Sequence, residues 1–337
     1  MCCSFLFNPK QMASNKKSLS RHIGPLGQLA ALLIVIAATF SVQPAAAGAR
    51  FFYAGDGAIN LATDKSSQVF SGRYRRRDGQ YDSAALMAIC RVFGAPYERQ
   101  HLHLSLRLVE FLDYLQDHFR PGARITITSG YRNPTYNRAL RRHGALAAKA
   151  SLHQYGMAAD FRMEGIAPHR IWEYIQTLGF GGTGYYHGDS VHVDVGPARF
   201  WDEKTSGVGT GISDDNKLIG LVTDYDIYAP GDDLHLRFIR MTAFPIGIKQ
   251  TFVLLRRTSD AGFQPVVSFS PTFKTPHPGP CPHFGDIDQM ADIGWTLPQD
   301  LPPGDYQVQA GFCDKVWKQM PVQVVTPEFR VTPKLHK

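Results

Sequence analysis

Two stretches decide how this chain is read: Ser151-Leu152-His153-Gln154-Tyr155-Gly156-Met157-Ala158-Ala159-Asp160 and, about thirty residues later, Val191-His192-Val193-Asp194-Val195. In the second, Val191, Val193 and Val195 point one way, into a core, and His192 and Asp194 point the other way, side by side. The first reads as a loop carrying His153 into a strand that carries Asp160. Two imidazoles and a carboxylate can supply three corners of a zinc tetrahedron and leave the fourth to water, the open arrangement that hydrolytic zinc needs. Small residues flank these positions (Gly156, Ala158, Ala159) and leave room for an ion and a ligand.

Working outward, helical spacing predicts helices over 83–93 and 104–119, the second ended by Pro121-Gly122, and shorter helices over 136–143 and 168–178. Strands are expected at 124–128, 158–162 and 191–195. Gly181-Gly182-Thr183-Gly184 reads as a turn. Residues 48–82, polar and Gly-rich, read as an N-terminal arm or irregular strands. Its basic run from Arg73 to Arg77 reads as a solvated patch. The expected fold is α+β: a small mixed or antiparallel sheet with flanking helices and a zinc site over 83–204. A linker at 205–217 then leads to an all-β, sandwich-like accessory domain over 218–337, where only strand patterns remain. The loop 271–282, with five prolines in twelve residues, is excluded as a central strand.

Composition limits the function classes. The chain has 337 residues, and its net charge of +7 suggests nucleic acid at first sight. Residues 1–47 hold Lys10, Lys16, Lys17 and Arg21 and no acid; without them 32 basic residues face 29 acidic ones. That balance supports no nucleic-acid partner. The same 47 residues read as an export signal: basic residues, an apolar run from Leu29 to Phe40, then Ala45-Ala46-Ala47. The run is well short of the roughly 20 residues that span a bilayer, and no stable membrane span is expected after cleavage; an uncleaved anchor is the alternative, and Met12 is a second candidate start. In an oxidising compartment Cys281 and Cys313 are the better pair for a disulfide, and Cys90 reads as a buried small hydrophobe. A metal site from His277, Cys281 and His283 is disfavoured by the surrounding prolines.

Taken in order, Ser151-x-His153-x-x-Gly156-x-Ala158-x-Asp160 and His192-x-Asp194-x-Gly196-Pro197 resemble the zinc D-alanyl-D-alanine metallopeptidases of bacterial cell walls, within them the YcbK-like murein endopeptidase branch. Ser129-Gly130-Tyr131-Arg132, residues 181–186 and residues 196–201 add to the likeness, which covers roughly 85–201. The resemblance implies Zn2+ held by His153, Asp160 and His192, and hydrolysis of a peptidoglycan peptide bond by a metal-activated water in the periplasm or cell envelope. It implies a carboxylate base, for which Asp194 and Asp189 are both candidates. Asp194 is preferred because its strand position puts it beside a ligand, although it could equally orient that ligand. Arg132 would hold a substrate carboxylate or a developing oxyanion, or form a structural ion pair. A D-Ala-D-Ala carboxypeptidase or dipeptidase and a non-catalytic wall-binding module are the alternative functions. The β-domain is expected to contact the wall, or a regulatory or scaffold protein, and to be separable by deletion of 210–337.

Overall fold

The computed structural model describes residues 50–98, 101–142, 151–205, 219–239, 246–259, 261–274, 279–284, 287, 289–290, 293–316 and 320–333. The leader (1–47), almost all of the expected linker and His277 lie outside these.

A hairpin opens the chain, β1 (Ala58–Thr63) and β2 (Val69–Arg73). Helix α1 (Ser83–Phe93) begins where the Asp82 carboxylate accepts the Ala85 amide, and it stops at Gly94 with φ 68°. A short ribbon, β3 (Tyr97–Glu98) and β4 (His101–Leu102), leads into α2 (Leu106–Phe119). Then follow β5 (Ile125–Ser129), α3 (Pro134–Arg142), one 3₁₀ turn at Leu152–Tyr155 and β6 (Ala158–Met163). Helix α4 (Pro168–Leu178) takes Pro168 at its start and ends at left-handed Gly179. Strands β7 (Gly182–Tyr185), β8 (Val191–Asp194) and β9 (Arg199–Asp202) complete a mixed sheet of order β2-β1-β5-β6-β8-β7-β9.

One face of this sheet is apolar. Ile59, Leu61, Ile125, Ile127, Phe161, Val191 and Val193 pack there with Ile89, Leu108 and Leu112 of α1 and α2 and with Ile171 and Ile175 of α4. Strand alternation puts Asp160, Arg162, His192 and Asp194 on the other face. Register aligns them: Asp160 lies opposite His192, and Ser129 opposite Asp160 across a bulge in β5.

Two expectations are corrected, and of the two readings of residues 48–82 the strands are the one found. They are structural, because β1 pairs parallel with β5 and brings Ile59 and Leu61 into the core. Their basic run is not all solvated: Arg75 is buried against Glu110 of α2 at 2.7 Å. The glycine run at 181–184 is largely strand, not turn. Gly184 lies between His192 and Trp201, where a Cβ would come within 2.3 Å of the indole, so the glycine serves close packing beside the ligand cluster.

From residue 219 the chain is β-rich: β10 (Gly220–Thr223), β11 (Ile227–Tyr228), β12 (Asp233–Ile239), β13 (Ile246–Gly247), β14 (Phe252–Thr258), β15 (Gly262–Phe269), β16 (Thr272–Phe273), β17 (His283–Phe284), β18 (Ile293–Thr296), β19 (Gly304–Gly311), β20 (Gln323–Val325) and β21 (Phe329–Val331). A four-stranded sheet, β10-β12-β18-β16, and a larger one, β11-β21-β19-β14-β15, share one core in which Leu221, Leu236 and Phe238 meet Leu254, Val308 and Phe329. Strand β16, in the proline-rich stretch, is at a sheet edge, as proline requires. Cys281 and Cys313 are joined in a disulfide and Cys90 is buried and free.

The two regions are closely joined. Arg107 of α2, buried, donates from Nε to Asp226 Oδ1 at 2.9 Å and from Nη1 to the Thr223 carbonyl at 2.9 Å. The Arg50 carbonyl accepts the amides of Asp226 and Ile227. Val222 and Ile239 belong to the core under the first sheet. No helix among the described residues is long and apolar enough to cross a membrane.

Candidate metal centre

His153, Asp160 and His192 converge: one ligand atom from each lies within 4.8 Å of the other two. Each arrives on a different element, the 3₁₀ turn, β6 and β8. The turn is fixed at its end by Gly156, whose φ of 62° is in the left-handed region and whose hydrogen faces the His103 carbonyl; a Cβ there would lie 1.8 Å from that oxygen.

The hydrogen bonds around the imidazoles select their metal-facing nitrogens. His153 Nδ1 is 2.8 Å from the Gly130 carbonyl, which only accepts, so Nδ1 carries the proton and Nε2 carries the lone pair. That Nε2 is 3.6 Å from Asp160 Oδ1. His192 Nδ1 is 2.8 Å from the same Oδ1, and its Nε2 is 3.1 Å from Asp194 Oδ2. His153 Nε2, Asp160 Oδ1 and His192 Nδ1 therefore face one point, with a borderline-soft donor set suited to zinc.

The electrostatics match. Burial pushes the Asp160 carboxyl upward, but the two histidines outweigh it and hold it well below the usual carboxylate range. Burial lowers His153. For His192, burial acts downward, and its hydrogen bonds to the Asp160 and Asp194 carboxylates overcome it and raise the imidazole.

Among the other expected site residues, Arg132 donates to Asp160 Oδ2 at 3.1 Å and to Ser129 Oγ at 2.8 Å, so its fork holds a ligand. Asp194 is fully buried behind His192. Its oxygens accept from Arg199 at 2.9 and 2.5 Å and from the Gly196 amide at 2.9 Å. Burial opposes ionisation of Asp194, but Arg199 and His192 prevail and hold it far below the usual range. Asp189 is exposed and contacts Arg162 at 3.7 Å and Ser190. Neither carboxylate stands among the converging ligand atoms. His187, next to the cluster in sequence, pairs with Asp202 at 2.8 Å. The second metal reading loses its thiolate, since Cys281 is disulfide-bonded and His283 pairs with Asp314 at 2.8 Å.

Roles the residues did not disclose are those of Gly130, Tyr186, Arg199 and Trp201. Tyr186 donates to Asp160 Oδ1 at 3.4 Å, and the Trp201 ring lies 4.8 Å from that of His192. Arg199 and Trp201 were visible only as positions in a motif; β9, parallel to β7, brings them to the site.

Comparison with known proteins agrees with this geometry. Residues 57–201 match the family described as peptidoglycan L,D-endopeptidase MepK. The chain is 42% identical over 78 residues to the Escherichia coli (strain K12) protein of that name, covering 23% of this chain and 43% of the relative. It is 39% identical over 81 residues to a probable MepK of Haemophilus influenzae, covering 24% and 44%. The chain thus spans less than half the length of these curated relatives. A solved structure titled for toxic shock syndrome toxin-1 aligns over 34% of this chain and 98% of its own with 9% identity and a TM-score of 0.23, too weak a likeness to bear on the fold. Residues 57–201, the segment that carries the His153–Asp160–His192 cluster, are thus similar to the MepK family of peptidases.

Proposed function

We propose that this chain is an exported, zinc-dependent peptidoglycan endopeptidase that hydrolyses an amide bond in stem peptides or their cross-links. The observation that carries the reading is the convergence of His153 Nε2, Asp160 Oδ1 and His192 Nδ1 within a family whose relatives are named for this activity. When bound, zinc supplies Lewis acidity and a water acidic enough to attack a peptide carbonyl near neutral pH.

The chain's own residues prepare that chemistry. Gly130 keeps the His153 proton on Nδ1 and frees Nε2. Asp194, braced by Arg199, takes the Nε2 proton of His192 in a hydrogen bond and turns Nδ1 toward Asp160. Arg132 and Tyr186 fix the Asp160 carboxylate. Asp194 therefore acts as an orienting group, because its oxygens are taken and its basicity is low. The carboxypeptidase alternative needs Arg132 for a terminal carboxylate, and its Nε and Nη2 are already engaged by Ser129 and Asp160.

The purified mature protein should carry zinc and release muropeptides from sacculi. The His153→Ala protein should lose both metal and release. Equal release from the two proteins would refute the reading.

A further inference from the structure

The Cys281–Cys313 disulfide lies at the surface of the β-rich region, with Cys313 exposed and Cys281 half-buried. Two further donor groups stand beside it. One ligand atom each from Cys281, His283 and Asp314 lies within 4.8 Å of the other two. The Cys313 sulfur is bonded to that of Cys281, and the two Cα atoms are 6.2 Å apart, so all four groups share one small volume. Glycine at 247 keeps that volume open. A Cβ there would come within 3.0 Å of Cys281 Sγ, Asp314 Oδ2 and His283 Nε2 at once.

The donor atoms are turned inward. His283 Nδ1 is 3.0 Å from the Cys281 carbonyl, which only accepts, so Nδ1 carries a proton and Nε2 is the nitrogen that faces Asp314 Oδ2, at 2.8 Å. The same Oδ2 accepts the Gly247 amide at 2.9 Å. The backbone fixes these positions without help from the disulfide. Gly247 and His283 are register partners in the β13–β17 ribbon. The Gly247 carbonyl accepts the Cys313 amide, and the Pro282 carbonyl accepts the Ile248 amide, each at 2.9 Å. Opening the sulfur–sulfur bond therefore leaves both cysteines tied, directly or through a neighbour, to β13.

While the bond is closed, its sulfurs are poor ligands, and His283 with Asp314 makes too few donors for zinc. Exposed disulfides are among the more readily reduced. We propose that, when a dithiol reductant opens this bond, Cys281, Cys313, His283 and Asp314 bind one zinc ion. The dithiol gives two electrons and two protons to the disulfide and itself closes to a disulfide. The two protein thiols release their protons as they take zinc. Two thiolates, an imidazole and a carboxylate fill all four tetrahedral positions, so the site is structural, unlike the three-ligand cluster on the first sheet. The ion exchanges one cross-link for another over the same separation of 32 residues and holds the β-rich region together under reducing conditions. None of this depends on the endopeptidase reading.

Cobalt reports thiolate ligation by charge-transfer absorption in the near ultraviolet. It tests the proposal in the full chain carrying His153→Ala, where the first cluster has lost a ligand. A phosphine serves as reductant, since dithiols bind the metal themselves. After reduction, thiol titration should find two more thiols per chain, and the chain should take one further cobalt ion with the thiolate band. The Cys281→Ser/Cys313→Ser chain, which keeps Cys2, Cys3 and Cys90, should show neither change. His283→Ala and Asp314→Asn should each weaken cobalt binding to the reduced chain by at least about tenfold, the lower end of what losing even an orienting partner costs. Both side chains are solvated, so these variants should keep the native circular dichroism spectrum. Zinc should raise Tm more in the reduced chain than in the oxidised one. A bond that resists the phosphine in the folded chain, equal cobalt binding before and after reduction, or a thiolate band indifferent to His283 and Asp314 would overturn the proposal.

Discussion

Arg199 contributes to this site through two other residues. Its guanidinium holds both oxygens of Asp194, and Asp194 holds Nε2 of His192. A group that orients a metal ligand in this way typically changes metal affinity or activity about 10–100-fold when removed. Arg199→Met should therefore lower zinc affinity by that order, with Arg199→Lys retaining part of it. Competition with a chromogenic chelator measures this directly; unchanged affinity in the Met variant would remove the orienting chain. The three converging side chains were legible in the sequence because imidazole and carboxylate are conspicuous next to Gly and Ala in otherwise apolar strands. The contacts of Asp194 were not legible. Strand alternation puts it beside His192 whether it moves a proton or holds a ring, and the deciding partner, Arg199, comes from a different strand. Arg132 was legible as a residue but not as a contact, because its bond to Asp160 depends on the β5–β6 register.

At the scale of elements, bounds were readable where local chemistry sets them. Helices α1 and α4 begin and end where expected because Asp82, Gly94, Pro168 and Gly179 act within a turn of their own positions. The partners of the β1–β2 hairpin were not readable, because its pairing with β5 and the burial of Arg75 against Glu110 of α2 join residues 35 or more positions apart. This junction also contains Asp113 of α2, whose Oδ2 accepts from Tyr74 and the Gly57 amide and whose Oδ1 has no hydrogen-bond partner among the described residues. Burial pushes its carboxyl from 3.8 up to about 8. The folded chain holds this proton more tightly than the unfolded chain, so the stabilisation is complete below the unfolded value. It is lost as pH rises from about 4 to about 8. Asp113→Asn should flatten that dependence and gain stability relative to wild type between pH 5 and pH 8, by roughly a few kcal/mol. Denaturant midpoints at the two pH values measure it; parallel midpoints for both proteins would contradict it. The Cys281–Cys313 bond, anticipated from the export signal, closes a span of 32 residues in the β-rich region. Loop entropy assigns it about 3–4 kcal/mol, so Cys281→Ser/Cys313→Ser should lower Tm, and free thiols in non-reducing mass mapping would reject the bond.

For the whole molecule, the β-rich region packs against the fold that carries the candidate site, and this changes what a deletion means. An accessory domain on a linker could be removed without touching catalysis. Here Arg107 is buried with its donors on Thr223 and Asp226, and Val222 and Ile239 fill the core beneath the first sheet. Arg237 of β12 donates to the Tyr155 carbonyl at 3.2 Å, at the end of the turn that carries His153. Removing 219–337 would strand the Arg107 charge in an apolar setting and expose that core; breaking a buried pair alone costs about 3–5 kcal/mol. The truncated chain should therefore aggregate or melt well below the full chain and lose hydrolysis of small soluble peptides together with that of sacculi. Arg107→Ala separates stability from binding to the wall, because it leaves the outer surface of the β-rich region intact. It should lower Tm strongly while the folded fraction still binds sacculi as the full chain does. A truncated protein that melts like the full chain and cleaves a small peptide at the same rate would show that the two regions work independently.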